Sequence, residues 1–163
     1  MTGNLFLTGP RQIGKSTALQ RFLADYPGAI RGFLTRWNPE GQTLHMLDPS
    51  APEGFTAANI VARRIAGRAE PDPAAFDRIG TRLLAESAPL YVMDELGFLE
   101  RDAHAFRARI LALLQGATPV VGVVRQTGSI FLDRLQTLEN TAIWLVDSGN
   151  RDEIPARLAR HFR

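Results

Sequence analysis

The sequence predicts an α/β fold in which helices cover a mostly parallel central sheet. Short apolar runs that suit buried strands alternate along the chain with segments of helical spacing, which is the pattern of βαβ units. The chain has 163 residues, of which 45% are hydrophobic, and this is enough to form one sizeable core. No internal repeat, low-complexity tract or long linker divides it, so we expect a single domain over residues 1–163.

The first third of the chain predicts a strand, a helix and a hairpin, in that order. Asn4–Thr8 is a short apolar run that ends at a glycine, as expected of a buried strand. From Gly14 the apolar residues follow helical spacing until the run Y-P-G ends the helix. Ala29–Trp37 predicts the next strand. After the turn signal N-P-E-G, Thr43–Leu47 predicts its partner in a small β-hairpin near residues 29–47.

The rest of the chain continues the alternation of helices and strands. Helical spacing returns in Thr56–Ala66, and the stretch Gly67–Pro73 predicts a loop. Beyond it the sequence predicts a helix at Ala74–Glu86, a strand at Pro89–Met93, a helix at Asp102–Leu114, a strand at Pro119–Val124, a short helix at Ile130–Leu138, a strand at Ala142–Val146 and a closing helix at Asp152–Phe162.

Composition excludes several classes of protein. The formal net charge is only +2 and the arginines are scattered, which gives no support for a nucleic-acid partner. Cysteine is absent, which excludes disulfides and thiolate metal sites. No apolar stretch reaches the roughly 20 residues of a membrane span, and Met1–Leu5 does not resemble a secretory signal. We therefore expect a cytoplasmic protein without a membrane partner, a monomer or weak oligomer for which no protein partner is indicated.

One segment carries a strong chemical signal. The run G-P-R-Q-I-G-K-S-T fits the phosphate-loop pattern G-x-x-x-x-G-K-[ST] without a gap, between a predicted strand and a predicted helix. In such a loop, backbone N–H groups and the positive end of the helix dipole surround a phosphate. Of the 19 basic residues 18 are arginine, and the single lysine, Lys15, falls in this loop either by chance or because the site needs a compact ammonium. Lys15 is expected to bridge the β- and γ-phosphates of a nucleoside triphosphate, and the Ser16 hydroxyl to bind Mg²⁺.

The whole loop is predicted to hold the nucleotide. Its members are Gly9, Pro10, Arg11, Gln12, Ile13, Gly14, Lys15, Ser16 and Thr17.

A second motif adds acidic groups. The apolar run Y-V-M ends in two adjacent carboxylates, Asp94 and Glu95. An acid at such a strand end of a phosphate-loop protein holds Mg²⁺, which is the role predicted for Asp94. Glu95 is then positioned to orient and deprotonate an attacking water, with Lys15 neutralising the phosphates.

These motifs together resemble one family, the small nucleoside triphosphatases of thermophilic bacteria and archaea, whose human member is called cancer-related nucleoside triphosphatase. The resemblance rests on the phosphate loop and on the segments G-F-L-T (32–35), D-E-L-G-F-L-E (94–100) and N-R-D (150–152), which occur in family order. It implies a three-layer, RecA-like P-loop fold and hydrolysis of ATP, GTP and other nucleoside triphosphates with Mg²⁺ and loose base selectivity.

The resemblance also implies roles for individual residues. It supports Glu95 as the catalytic base and adds Glu100 as a site carboxylate, which we expect to assist at the metal. Asn150 and Asp152 are expected to contact the base of the nucleotide, and the alternative for Asp152 is to cap the last helix.

The chain also departs from the family pattern at two positions. It has Arg36 after G-F-L-T, where the family often has an acidic residue, and Phe98 where the family often has a lysine. Arg36, Arg101 and Arg125 are candidates to supply the missing positive charge in catalysis, and Arg125 is favoured because it follows the predicted strand Pro119–Val124 at the site edge. The alternative for Arg125 is a surface salt bridge.

Two other functions share the phosphate loop. A nucleotide or small-molecule kinase would transfer the phosphoryl group to an acceptor. Such enzymes need a basic lid, for which Arg63, Arg64 and Arg68 are candidates. A switch or accessory protein would use slow hydrolysis only to time a partner interaction. Phosphate release with and without candidate acceptors distinguishes these functions from hydrolysis.

Overall fold

The structure is a computed structural model that describes residues 3–163. Met1 and Thr2, which belong to the predicted single domain, lie outside the described residues. Within this range the strands are β1 (Asn4–Thr8), β2 (Ile30–Trp37), β3 (Thr43–Leu47), β4 (Ile60–Ile65), β5 (Arg68–Pro71), β6 (Leu90–Leu96), β7 (Val120–Val124) and β8 (Thr141–Leu145). The α-helices are α1 (Lys15–Asp25), α2 (Pro73–Leu83), α3 (His104–Leu114), α4 (Leu132–Gln136) and α5 (Ile154–His161).

All eight strands form one sheet in the order β5-β4-β3-β2-β6-β7-β1-β8. The pairs β2–β6, β6–β7, β7–β1 and β1–β8 are parallel, whereas β3, β4 and β5 extend one side of the sheet as antiparallel strands. The predicted parallel sheet and the predicted β2–β3 hairpin are both confirmed. Parallel strands align their carboxyl ends on one edge, so the segments that follow β1, β6 and β7 meet there.

Helices cover both faces of the sheet and bury a separate apolar core on each. Phe6 of β1 points into the core beneath α2 and α3, while its neighbours Leu5 and Leu7 point into the core beneath α1 and α5. This alternation follows from the two-residue period of a strand. The result is the three-layer arrangement that the sequence predicts, with its central strands buried on both sides.

The prediction for the middle of the chain is wrong at two places. The predicted helix Thr56–Ala66 is a short 3-10 turn, Ala57–Asn59, followed by β4, and the predicted loop Gly67–Pro73 contains β5. Val61 and Ala62 are adjacent and both buried, which breaks strand alternation and imitates helical spacing. Pairing with β3 decides the conformation, and the Ala66-Gly67 turn, with φ of 50° and 77°, closes a tight hairpin between β4 and β5.

No helix in the range 3–163 combines the length and the apolar character that crossing a bilayer requires.

Candidate active site

The phosphate loop joins β1 to α1 and depends on two glycines. Gly9 has φ of 146° and Gly14 has φ of 110°, in the region that disfavours every residue with a Cβ. At Gly9 a Cβ would lie 2.5 Å from the backbone oxygen of Val146, so the adjoining chain leaves no room for one. Gly14 precedes the first residue of α1 and directs the N–H groups of that helix end into the loop.

Lys15 is the first residue of α1, and its side chain folds back over the phosphate loop. Its ammonium donates to the backbone oxygens of Gly9, at 2.6 Å, and of Pro10, at 2.9 Å. Burial lowers the pKa of Lys15, while the nearby carboxylates Glu95 and Asp94 act against this shift. The side chain thus faces the two acidic groups that the sequence predicts to act with it.

Asp94 and Ser16 bring two oxygen ligands together. The Ser16 hydroxyl, in the first turn of α1, donates to the Asp94 carboxylate at 3.1 Å. Asp94 lies within β6 rather than after it, is only 3% exposed, and burial raises its pKa to about 6 although the Ser16 hydrogen bond opposes the shift. A neighbouring positive charge would favour the ionised form of this carboxyl group.

This pair fits Mg²⁺. Serine hydroxyl and carboxylate oxygens are ligands that the ion accepts, and it usually takes only one or two protein ligands beside phosphate oxygens and water. Residues 3–163 contain no group of three or more His, Asp and Glu side chains arranged to hold a metal ion.

Glu95 faces the same cleft because the strand is irregular at this point. In the pairing of β6 with β7 the register shifts between Asp94 and Leu96, so Glu95 does not follow strict alternation. Thr35 of β2 fixes the backbone here: its hydroxyl donates to the Asp94 backbone oxygen at 3.3 Å and accepts from the Glu95 N–H at 3.2 Å. Burial raises the pKa of Glu95, an effect that the charges of Lys15, Arg125 and Arg11 reduce.

Glu100 is buried in the turn that follows β6. Its side chain is 4% exposed, and one carboxylate oxygen accepts the backbone N–H of Gly97 at 2.6 Å. Burial raises the pKa of Glu100 to about 7. Glu100 lines the cleft, but this hydrogen bond engages one of its oxygens in the turn, and the metal-ligand role stays a prediction.

Arg125 follows β7 directly and also lines the cleft. Its guanidinium carbon lies 4.7 Å from the centre of the Phe98 ring. Among the residues that the structure describes, the one ion pair joins Arg31 and Glu86, so the alternative of a surface salt bridge at Arg125 finds no partner. A catalytic role for Arg125 stays a prediction.

A single cleft of about 450 Å³ brings most of the predicted residues together. The predicted residues that line it are Gly9, Pro10, Arg11, Gln12, Gly14, Lys15, Ser16, Thr17, Asp94, Glu95, Glu100 and Arg125. Ile13 is the one member of the phosphate loop that does not line it, because its side chain packs against the core beneath α1.

Asn150 and Asp152 lie outside this lining. The Asn150 amide donates to the backbone oxygen of Leu145 at 2.8 Å, and its oxygen accepts from the Asp147 N–H at 2.9 Å. Both ends of the side chain therefore stabilise the turn after β8. Asp152 is exposed, and α5 begins two residues later with Glu153 at the cap position, so capping by Asp152 is wrong. Base contact by either residue stays a prediction.

Sequence reasoning missed several residues of the cleft. Thr35, a polar side chain inside an apolar strand, was detectable in the segment G-F-L-T but received no role. Trp37, Gln126 and Thr127 also line the cleft without any sequence signal that marks them. Arg151 approaches the phosphate loop, since its Cδ lies 3.9 Å from the position of a Cβ at Gly14.

A parallel sheet, a glycine-bounded loop at the start of a helix, and a buried acid on a neighbouring strand define a P-loop nucleotide-binding protein. Residues 4–159 match the protein family described as NTPase, and the chain belongs to that family. The family predicted from the sequence motifs is thereby confirmed.

Curated relatives match along nearly their whole length. The nucleoside-triphosphatase THEP1 of Natranaerobius thermophilus is 26% identical over 170 residues, covering 98% of this chain and 96% of the relative. The THEP1 protein of Methanosarcina barkeri is also 26% identical, covering 96% of this chain and 95% of its own. These similarities favour triphosphate hydrolysis over the kinase and the switch.

A solved structure shares the fold. The crystal structure of THEP1 from the hyperthermophile Aquifex aeolicus aligns with a TM-score of 0.79 over 95% of this chain and 96% of that chain. At 16% sequence identity, this likeness confirms the three-layer fold and carries no further conclusion.

Proposed function

We propose that this protein is a Mg²⁺-dependent nucleoside triphosphatase that converts ATP, GTP and other nucleoside triphosphates to the nucleoside diphosphate and phosphate. The observation that carries the proposal is that Lys15 of the phosphate loop, the Ser16–Asp94 pair and Glu95 line one cleft. Family membership and the nucleoside-triphosphatase relatives support the same reaction.

Each residue has a distinct part in the proposed reaction. The loop N–H groups and Lys15 hold the β- and γ-phosphates, and Glu95 accepts a proton from the attacking water. The water oxygen bonds to the γ-phosphorus, and the bond from that phosphorus to the β–γ bridging oxygen breaks, leaving its electron pair on the diphosphate. Thr35 keeps the Glu95 backbone in place during these steps.

Ser16 and Asp94 are the residues that would hold Mg²⁺. When bound, the ion neutralises negative charge on the phosphate oxygens. Loose base selectivity fits the structure in one respect: the amide of Asn150 is already engaged in its own turn, which leaves fewer groups free to distinguish bases.

Phosphate release from ATP and GTP, measured with Mg²⁺ and with a chelator, tests the proposal. Lys15→Ala is expected to abolish most nucleotide binding, whereas Glu95→Gln keeps binding and lowers turnover by more than about 100-fold. Glu40→Gln, an exposed site in the turn between β2 and β3, is a matched control and keeps wild-type turnover. Normal turnover in Glu95→Gln would show that another group acts as the base.

Candidate acceptors added to the same assay separate hydrolysis from phosphoryl transfer. Hydrolysis predicts full phosphate release without an acceptor and no phosphorylated product when one is added. The arginines considered for a kinase lid, Arg63, Arg64 and Arg68, belong to the paired strands β4 and β5. Arg64 also donates to the Gly41 backbone oxygen at 3.0 Å, which favours a fixed sheet edge over a mobile lid.

We also propose that the chain acts as a single domain in the cytoplasm, as a monomer or weak oligomer. One continuous sheet, into which all the described strands pair, supports the single domain. A nucleoside triphosphate substrate supports the cytoplasmic location. Sedimentation of the purified protein across a range of concentrations tests the oligomeric state.

A further inference from the structure

The loop after β7 is attached to the turn after β6 by backbone hydrogen bonds. The N–H of Arg125 donates to the Leu96 backbone oxygen at 2.9 Å, and the N–H of Ile130 donates to the Gly97 backbone oxygen at 3.2 Å. The Ser129 hydroxyl contacts the same Leu96 oxygen at 3.4 Å. These contacts fix the start of the Arg125 side chain relative to the turn, but they leave its long, flexible end free to take several rotamers.

An aromatic ring sits where that end of the side chain lies. The guanidinium carbon of Arg125 is 4.7 Å from the centre of the Phe98 ring, within the range of a cation–π interaction. Gly97 makes room for this arrangement, because a Cβ there would approach the Arg125 Cδ to 3.3 Å. A Cβ at Gly128 would be 3.9 Å from the Phe98 ring, so the loop after β7 also approaches the ring.

The position of the guanidinium matters for the charges of the cleft. Arg125 and Phe98 both line the cleft that contains Lys15 and Glu95. The positive charge of Arg125 contributes to lowering the pKa of Lys15 and opposes the burial-driven rise in the pKa of Glu95. The guanidinium is thus close enough to act on the groups that would surround a γ-phosphate.

We propose that Phe98 is a positioning residue for this reaction, whose ring holds the Arg125 guanidinium over the cleft so that it meets the charge on the γ-phosphoryl group in the transition state. The inference rests on the proposed triphosphatase function. It assigns Phe98 no contact with substrate, and it treats Arg125 as the group through which Phe98 acts. The physical reason is that a guanidinium already held in place loses little rotamer freedom when the phosphoryl group develops charge.

Steady-state phosphate release from ATP with Mg²⁺ tests the inference. Phe98→Leu keeps an apolar side chain but removes the aromatic face, and we expect kcat to fall about five- to thirtyfold with little change in KM. Phe98→Tyr retains the ring and is expected to restore kcat to within about twofold of wild type. Phe55→Leu, a ring in contact with His45 outside the cleft, is the matched control and keeps the wild-type kcat.

The double variant separates positioning from general damage to the fold. Arg125→Ala is expected to lower kcat about 1000-fold or more, the scale of a catalytic arginine. If Phe98 acts only through Arg125, adding Phe98→Leu to Arg125→Ala lowers kcat no further. An equal loss in both backgrounds, or a wild-type kcat in Phe98→Leu, overturns the inference.

A second measurement avoids dependence on turnover. Binding of MgADP with aluminium fluoride, which imitates the phosphoryl group in transfer, is expected to weaken in Phe98→Leu, while binding of MgADP alone is unchanged. Equal weakening of both, or of neither, contradicts the inference. Failure of the proposed function looks different, because wild-type protein would then release no phosphate. An inactive wild type would overturn both proposals.

Discussion

Glu100→Gln is expected to stabilise the nucleotide-free protein at alkaline pH and to have little effect at acidic pH. In the folded chain the Glu100 carboxyl group is 4% exposed, and burial raises its pKa from 4.5 to about 7. Folding therefore favours the protonated form. As pH rises from about 4.5 to 7, the unfolded chain releases this proton while the folded chain retains it, so wild-type stability declines through that window.

The size of the expected stability gain follows from the pKa shift of Glu100. Each pKa unit corresponds to about 1.4 kcal/mol, so the ionised Glu100 costs the fold about 3 kcal/mol above pH 7. Glutamine carries no charge at any pH, and its side-chain oxygen can still accept the Gly97 N–H that Glu100 accepts at 2.6 Å. The variant should therefore gain most of this free energy of unfolding at pH 8 to 9.

Urea unfolding of wild type and Glu100→Gln at a series of pH values, with a chelator and without nucleotide, measures the difference directly. The gain should be near zero at about pH 4.5 and should rise to a plateau above about pH 7. Glu40→Gln, at an exposed position, should show no such pH-dependent gain. A Glu100→Gln variant that is less stable at pH 8, or whose gain does not depend on pH, would refute the burial argument.

Three further substitutions test other parts of the site. Gly9→Ala should abolish nucleotide binding and lower the urea midpoint of unfolding, since the alanine Cβ would lie 2.5 Å from the Val146 oxygen. Wild-type nucleotide affinity in this variant would contradict the prediction. Thr35→Val should lower kcat by about tenfold while Thr35→Ser restores it, because only a hydroxyl joins the Asp94 oxygen to the Glu95 N–H. Asn150→Ala should cost about 1–2 kcal/mol in thermal unfolding through its two turn hydrogen bonds. A changed ATP-to-GTP preference in Asn150→Ala would instead assign it to base recognition.

The alternation of helices and strands and most of the candidate site could be predicted from the sequence because their causes are local. The phosphate loop needs glycines, one lysine and one hydroxyl at fixed spacing, so its residues appear as one continuous motif. Asp94 and Glu95 were found because an apolar run leads into them. Strands β4 and β5 were missed because strand pairing overrides the local pattern. β4 pairs with β3 in spite of the helical spacing of Thr56–Ala66, and β5 pairs with β4 in the stretch predicted as a loop.

The sequence by itself determined the class of fold, the phosphate loop and the pair of acids, since each depends on residue type and spacing along one segment. Only the tertiary structure decided which side chains share the cleft. The alignment of parallel strands brings Thr35 of β2 against Asp94 and Glu95 of β6. The backbone contacts between the ends of β6 and β7 place Arg125 over Phe98. These neighbours are remote along the chain, so no local pattern records them.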